Sequence, residues 1–226
     1  MLLRSGCAVA MLLVAAVAAR ADPPADPKDK TSWGMAAKVR RSYATPGVQR
    51  LLMGDTPGTA TMDGAGIDFA RRNGSTELVF GFGYDRLDAK EGYYLEKGGD
   101  PLVAGKVDYV TFDHPRWYTV EVTVVGHAKI HKFLEFRYGA GIGVGLIRGT
   151  VRKTDALCTG PSLQQECMPD PMGVEIDKPA NIPPVLPVLN ALVGLQLRPF
   201  NWLHIHLDAG IHTAPYVGLG VSLYLW

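Results

Sequence analysis

Hydrophobic and polar residues alternate with a period of two through most of the chain, which is the spacing of a β-strand with two unlike faces. The clearest segment runs from Leu134 to Leu146. Every second position from Leu134 is apolar or aromatic, and the positions between are Glu135, Arg137 and four glycines. This segment therefore predicts a strand with one apolar face and one face that is charged or nearly bare.

The same alternation recurs in seven further segments, so the pattern predicts eight strands in all. They cover residues 33–43, 65–69, 77–85, 118–124, 134–146, 189–197, 203–209 and 217–225. An apolar face opposite a charged or glycine face is typical of a transmembrane barrel, whose outer wall meets lipid. A strand protein in lipid must close on itself, because an unpaired backbone group there is costly. The predicted fold is an all-β, eight-stranded antiparallel up-and-down transmembrane β-barrel over residues 33–226.

The connections between these strands alternate in length. Short turns are predicted at 72–75, 128–132 and 198–201, and Asn73-Gly74 is a strong hairpin signal. Long connections cover 44–61, 86–115 and 149–184, whereas the last connection on that side, 212–215, is short. Barrels in bacterial outer membranes have short periplasmic turns and longer external loops. The pattern therefore predicts that both termini lie in the periplasm.

Eight charged residues share the inward-facing positions and predict a polar network in the lumen. They are Lys38, Arg40, Asp68, Glu77, Asp85, Glu121, Glu135 and Arg137. We expect them to pair with one another, because an unpaired buried charge is costly and an eight-stranded lumen is filled by side chains. A charged pore or gate is the alternative. The glycines from Gly139 to Gly145 are expected to leave room for long side chains such as Arg40 or Arg137.

Aromatic residues cluster near the predicted strand ends, as the two interfacial girdles of a bilayer barrel do. The candidates at the periplasmic rim are Trp33, Trp202, Tyr224 and Trp226, and those at the outer rim are Tyr43, Tyr84, Trp117, Tyr118 and Tyr216.

The first residues predict an export signal. Arg4 precedes an apolar run from Cys7 to Ala19, which is too short to span a bilayer, and Ala19-Arg20-Ala21 has the small-x-small form of a cleavage site. We predict a signal peptide over 1–21 and a flexible periplasmic leader over 22–32, which is rich in proline and charge. The remaining cysteines, Cys158 and Cys167, favour one disulfide in an exported chain.

The pattern resembles the small outer-membrane β-barrel families of Gram-negative bacteria, of the OmpA, OmpX or OmpW kind. The resemblance is carried by residues 133–146, with their alternating aromatics and glycines, and by the terminal strand 216–226. In such families a final aromatic residue helps the barrel-assembly machinery recognise the chain, and the resemblance implies that Trp226 has this role. It also implies a location in the bacterial outer membrane and a barrel that is monomeric.

Composition and candidate chemistry narrow the function further. With 23 basic and 22 acidic residues the formal charge is +1, which argues against a nucleic-acid partner. His204, His206 and Asp208 share the inward face of one strand and are weak candidates for a metal site. We favour a packed, hydrogen-bonded role for them, and we predict no metal and no other cofactor.

A structural or surface-interaction role through the external loops is the predicted function, without catalysis and in contact with outer-membrane lipid and lipopolysaccharide. The first alternative is a narrow channel for small solutes. A lipid-modifying enzyme is less favoured, because the strand carrying His204 and His206 has no serine for a His-x-Ser pair. A soluble ligand-binding barrel is less favoured because it requires an apolar interior.

Overall fold

The computed structural model describes residues 31–50, 55–180 and 182–225. The predicted signal peptide at 1–21, most of the predicted leader and Trp226 lie outside the described residues. The first strand begins at Thr31, so the last two residues assigned to the leader, Thr31 and Ser32, already belong to a strand.

Strands account for most of the described chain. In chain order they are β1 Thr31–Ala44, β2 Ala60–Asn73, β3 Thr76–Asp88, β4 Gly92–Leu95, β5 Val107–His131, β6 Leu134–Cys158, β7 Cys167–Pro169, β8 Lys178–Pro179, β9 Val185–Leu197, β10 Leu203–His212 and β11 Ala214–Leu225. The two short helices are α1 Pro46–Gln49 and α2 Leu163–Glu166. None of the helices in the described part of the chain is long and apolar enough to cross a membrane.

Eight of the described strands form a closed ring in the order β1-β2-β3-β5-β6-β9-β10-β11, and every neighbouring pair is antiparallel. Closure is made by β1 and β11, where Trp33 lies opposite Leu225 and Arg41 lies opposite Val217. The predicted eight-stranded up-and-down barrel is confirmed. We call the end where Trp33 meets Leu225 the terminal rim, and the opposite end, which carries the long connections, the loop rim.

The two faces of the wall have the predicted inverted polarity. On the outer face Ile142 is 68% exposed and Val193 is 52% exposed, whereas on the inner face Glu121 is 3% and Arg137 is 5% exposed. A protein that folds in water buries its apolar side chains and exposes its charges. The wall of this barrel does the opposite, which is the distribution expected when the surrounding medium is hydrocarbon.

Two strands extend well beyond the barrel at the loop rim. Strands β5 and β6 each have 25 residues, and they continue to pair with each other past a bulge at His114, whose φ is 46°. Strand β4 joins the free edge of β5, while β7 and β8 join β6. The long connections predicted at 86–115 and 149–184 were therefore wrong in part, since much of both is strand.

This extension has a small core of its own and a disulfide. Val107, Ala156 and Leu163 are buried together, and Cys158 and Cys167, which pack against them, are joined by a disulfide. Because β7 is only three residues long, its pairing with β6 depends on a short cross-linked loop.

Replacing both cysteines (Cys158→Ser with Cys167→Ser) should loosen this extension and leave the barrel intact. A disulfide that closes a short loop typically stabilises the folded state by about 2–4 kcal/mol, and the double variant loses this contribution in the extension. We expect faster cleavage by proteinase K within 159–177, with unchanged heat-modifiable mobility on gels. Met168→Ser, at an exposed position of the same strand, is the control. Loss of the mobility shift in the double variant would show that the barrel itself needs the disulfide.

Candidate functional site

The lumen is filled by ionic and polar side chains from every strand of the ring. The eight charged residues predicted to face inward all lie there, together with four histidines and four further charged or amide residues that the pattern did not single out as lumen charges. The additional residues are His127, His204, His206, His212, Arg72, Arg198, Asn190 and Gln196. All eight are buried. His204 and His206 were expected on an inward face, and strand parity could also have identified the five others that lie within a strand, namely Arg72, His127, Asn190, Gln196 and His212. Arg198 follows the last residue of β9, so parity gave no signal for it.

Glu135 is the centre of a cluster near the terminal rim. Arg72 Nη2 donates to its carboxylate at 3.0 Å, and Arg198 Nη1 donates at 2.6 Å. Gln196 Nε2 donates to the second oxygen at 3.1 Å. The two guanidinium groups are about as buried as the acid, with side-chain exposures of 5% against 6%. This one carboxylate therefore balances two buried positive charges.

Glu77 organises the neighbouring part of the same layer. The Tyr224 hydroxyl donates to Glu77 Oε1 at 2.8 Å, and His127 Nε2 lies 2.7 Å from Glu77 Oε2. The ring of Tyr224 packs against His204, with centroids 4.4 Å apart. Tyr224 is only 1% exposed, because it fills the space above Gly34, where a Cβ would lie 2.7 Å from its ring.

The middle of the lumen is crossed by Lys38. Its Nζ lies 2.7 Å from Asp68 and donates to Glu121 at 3.0 Å. Asn190 Nδ2 donates to the other oxygen of Glu121 at 3.1 Å, and His212 Nε2 lies 3.3 Å from that oxygen. Strands β1, β5, β9 and β10 are joined through this single carboxylate.

Towards the loop rim, Arg40 and Asp85 form a two-bond ion pair. Arg40 Nε donates to Asp85 Oδ1 at 2.9 Å and Nη2 donates to Oδ2 at 2.5 Å. This parallel arrangement is the strong geometry for an arginine and a carboxylate. The pair lies over Gly64 and Gly83, where added Cβ atoms would meet Asp85, Arg40 and Thr119.

The glycine run of β6 accommodates different side chains from those we expected. Arg40 lies over Gly64 and Gly83 rather than over residues 139–145. The positions facing that run are taken by the adjacent strand β5, through Val125, Thr123, Glu121 and Trp117. The glycines therefore make room for the neighbouring strand, because side chains directly across an antiparallel pair are the ones in closest reach.

The weak metal candidates do not converge on a common point. His206 Nε2 lies 3.7 Å from Asp208, which also lies 3.5 Å from Arg137. His204 contacts Gln196 at 3.3 Å through one ring nitrogen and the Asn201 carbonyl at 3.2 Å through the other. Each of the three side chains has a partner within the network.

Three of the predicted girdle aromatics are not on the outer surface, so the prediction was wrong for them. Trp117, Tyr216 and Tyr224 point into the lumen and are 8%, 9% and 1% exposed. Trp117 packs near His212, with ring centroids 6.1 Å apart. The remaining described candidates have exposed outward side chains: Trp33, Tyr43, Tyr84, Tyr118 and Trp202. Trp226 lies outside the described residues.

A second acidic group lies outside the lumen, in the extension at the loop rim. Asp108, Asp155 and Glu175 bring ligand oxygens within 4.8 Å of one another. Lys153 Nζ contacts Glu175 and lies 3.7 Å from Asp108. The hydrogen bond to Glu175 raises the pKa of Lys153, and partial burial raises the pKa of Asp108. Lys153 thus supplies a positive charge that offsets part of this group.

Comparison with known proteins gives likenesses among solved structures alone. No family model matches the chain, and no curated protein matches it. Neisserial surface protein A aligns with a TM-score of 0.44 at 8% identity, covering 87% of this chain and 99% of that one. Ail, the attachment invasion locus protein of Yersinia pestis, aligns with a TM-score of 0.43 at 10% identity, covering 87% and 99%.

The N-terminal β-barrel domain of Pseudomonas aeruginosa OprF aligns with a TM-score of 0.36 at 11% identity, covering 86% of this chain and 97% of the domain. The pairing of the chain's own strands, and not these likenesses, establishes the architecture. This protein is a small eight-stranded barrel.

The polar interior of this barrel contains a small cavity. A cavity of about 40 Å³ lies between Lys38, Asp68, Glu121 and Arg137, which is room for a few water molecules. Five basic side chains and six carboxylates line the described lumen: Lys38, Arg40, Arg72, Arg137 and Arg198 with Asp68, Glu77, Asp85, Glu121, Glu135 and Asp208. The positive and negative charges are nearly equal in number and contact one another, so the lumen is close to neutral.

Proposed function

We propose that this chain is an integral protein of the bacterial outer membrane, with a closed barrel that anchors an external loop structure and no catalytic activity. In this proposal the barrel works as a monomer, both termini are periplasmic, and outer-membrane lipid and lipopolysaccharide surround the wall. The long connections at the loop rim then face the cell exterior, where they contribute to membrane integrity or contact a surface partner.

The observation that carries the proposal is the combination of an apolar outer wall with a filled ionic lumen. Unpaired charge is expensive in a low-dielectric interior, so the ion pairs of Glu135, Asp85 and Glu121 favour a fixed plug. Both ends of the chain that are described, at Thr31 and Leu225, lie at the terminal rim. That arrangement suits a chain whose ends stay on the side from which it is inserted.

The external extension supports a role in contact. Met172 is 92% and Val174 is 82% exposed, and the neighbouring Met168 is also largely exposed. Side chains of this kind rarely stay in water without a reason when they are grouped on one loop. The same extension carries the buried cluster of Val107, Ala156 and Leu163 and the disulfide between Cys158 and Cys167.

The positions of the four lumen histidines favour a non-catalytic role for them. His127, His204, His206 and His212 are all buried in the lumen. A lipid-modifying enzyme in a barrel needs its proton-transfer groups on the wall where lipid arrives. These four side chains instead face the charges of the plug.

Cell fractionation tests the location. The full chain, expressed in a Gram-negative host, should appear in the outer-membrane fraction after density separation, and it should migrate faster on gels when unboiled. Recovery in the soluble periplasmic fraction, or an identical mobility with and without boiling, would contradict the proposal.

Conductance in planar bilayers separates the plugged barrel from the channel alternative. We expect no discrete single-channel steps from refolded protein in 1 M KCl, because ionic side chains in mutual contact fill the lumen around a cavity of about 40 Å³. A preparation of the same detergent without protein is the control. Reproducible steps of one size, seen with folded protein alone, would favour the narrow channel.

A further inference from the structure

Five strands carry outward-facing charged residues at one level of the loop rim. The register places Arg41 opposite Asp63, Asp63 opposite Arg86, Arg86 opposite Arg116, and Arg116 opposite Arg148. All five side chains are exposed. We call this row of residues on β1, β2, β3, β5 and β6 the arginine arc.

The arc has an excess of positive charge that the described protein does not neutralise. Asp63 lies 3.2 Å from Arg41 and balances it. The other three arginines make no ion pair with any described residue. Directly opposite residues on antiparallel strands have Cβ atoms about 5 Å apart, and like charges in that position destabilise the sheet. Three adjacent guanidinium groups on one surface therefore call for anions from outside the chain.

The wall directly beneath the arc is apolar and aromatic. Tyr84 lies opposite Tyr118 with ring centroids 5.3 Å apart, and Tyr118 lies opposite Leu146. Both tyrosines are exposed on the outer face. A soluble polyanion would meet the guanidinium groups alone, whereas a lipid would meet the guanidinium groups with its headgroup and this wall with its acyl chains.

We propose that the arginine arc binds the phosphate groups of lipopolysaccharide in the outer leaflet. Arginine presents a planar fork of donors that matches phosphate oxygens in pairs, and it is less strongly hydrated than lysine. Each such residue near an anionic lipid surface adds an increment of binding free energy. The proposal rests on the outer-membrane function proposed above, because the arc meets that leaflet only if the loop rim faces outward.

Another exposed arginine provides a matched control at the other end of the barrel. Arg71 also points outward, but it lies at the terminal rim, and its guanidinium stacks on Trp33 at 5.7 Å from the ring centroid. Its strand neighbours across the ladder are Trp33 and Leu78, so it is not part of a basic row.

The test compares the refolded wild type, a triple variant (R86Q, R116Q and R148Q) and the control R71Q in maltoside micelles. Each is titrated with diphosphoryl lipid A and, separately, with the same lipid after removal of its phosphates, and binding is measured by native mass spectrometry. We expect the triple variant to bind diphosphoryl lipid A at least about tenfold more weakly than wild type. R71Q should stay within about twofold, and wild-type binding should weaken as salt rises.

Three results would overturn the assignment: equal binding by the triple variant, equal binding of the lipid without phosphates, or an equal loss in R71Q. Displacement of bound lipid A by an equimolar amount of inorganic phosphate would also overturn it, because the site would then recognise the free ion. Unboiled gel mobility shows that each variant is folded, and the single variant R116Q, which removes the central charge, decides the question if the triple variant does not fold.

The failure of this inference can be told apart from failure of the proposed function. If the wild-type chain shows the mobility shift but does not bind lipid A, only the assignment of the arginine arc as a phosphate site is contradicted. A chain with no mobility shift contradicts the barrel in the membrane, and the lipid site with it.

Discussion

Replacing Glu135 with alanine should cost about 3–5 kcal/mol of folding free energy, because two buried arginines lose their shared counter-charge. Arg72 and Arg198 are each 4% exposed, and both donate to this carboxylate. Removing the carboxylate leaves two buried positive charges with no solvent to replace their partner. The loss should exceed that of any exposed ion pair in the chain.

Urea unfolding from lipid vesicles, followed by the loss of heat-modifiable mobility, measures this effect. Glu135→Gln keeps an oxygen acceptor but loses the charge, so we expect an intermediate loss. Asp63→Ala is the control: it breaks an exposed pair with Arg41, both side chains being more than half exposed, and it should cost at most about 1 kcal/mol. A Glu135→Ala variant as stable as the control would show that the lumen cluster does not stabilise the barrel.

The period-two pattern was sufficient for the architecture because it reports which face of a strand each residue occupies. It placed Lys38, Glu121 and Arg137 inside and Ile142 outside, and the closed ring has them there. The same parity explains the errors. Tyr224 shares the inward positions of Gly220 and Ser222, and Trp117 is one residue from the outward Tyr118. We assigned these residues to the outer girdles because they lie near strand ends. Their alternation with the neighbouring residues places them on the inner face, and the structure agrees with the alternation.

Partners within the lumen could not be predicted from the pattern. Lys38 contacts Glu121, which is 83 positions away along the chain. Which two inward side chains meet depends on the stagger between strands around the closed ring, and periodicity carries no information on stagger. The expected position of Arg40 over the glycines of β6 was wrong for this reason, since that choice required a specific stagger.

The extension at the loop rim was missed because it lacks the signal used for the barrel. Residues 107–112 have apolar side chains at both parities, with Val107 and Tyr109 on one side and Val110 and Phe112 on the other. A segment of this kind is compatible with a strand, but it has no single apolar face to reveal it. Its β-branched and aromatic content was the remaining indication.

Adding a side chain at Gly143 should be nearly as damaging as removing Glu135, because the space is bounded by backbone. A Cβ there would clash with the Val120 carbonyl oxygen and would lie 2.8 Å from the Glu121 Cα. Gly143 is directly opposite Glu121 in the ladder between β5 and β6, so relief requires the two strands to separate. Overpacking of this kind costs about 1–3 kcal/mol for alanine, and we expect more for Gly143→Leu.

The same unfolding measurement tests the glycine, with Gly58→Ala as the matched control. At Gly58 the nearest atom to an added Cβ is the Lys90 Cδ at 3.6 Å, which is an ordinary contact with a movable side chain, and the change should stay within about 0.5 kcal/mol. A Gly143→Leu barrel that unfolds like the control would mean that the lumen has room for a large side chain beside Glu121. The lumen would then hold more open space than the small cavity of about 40 Å³ indicates. That result would favour the narrow channel over the plugged barrel.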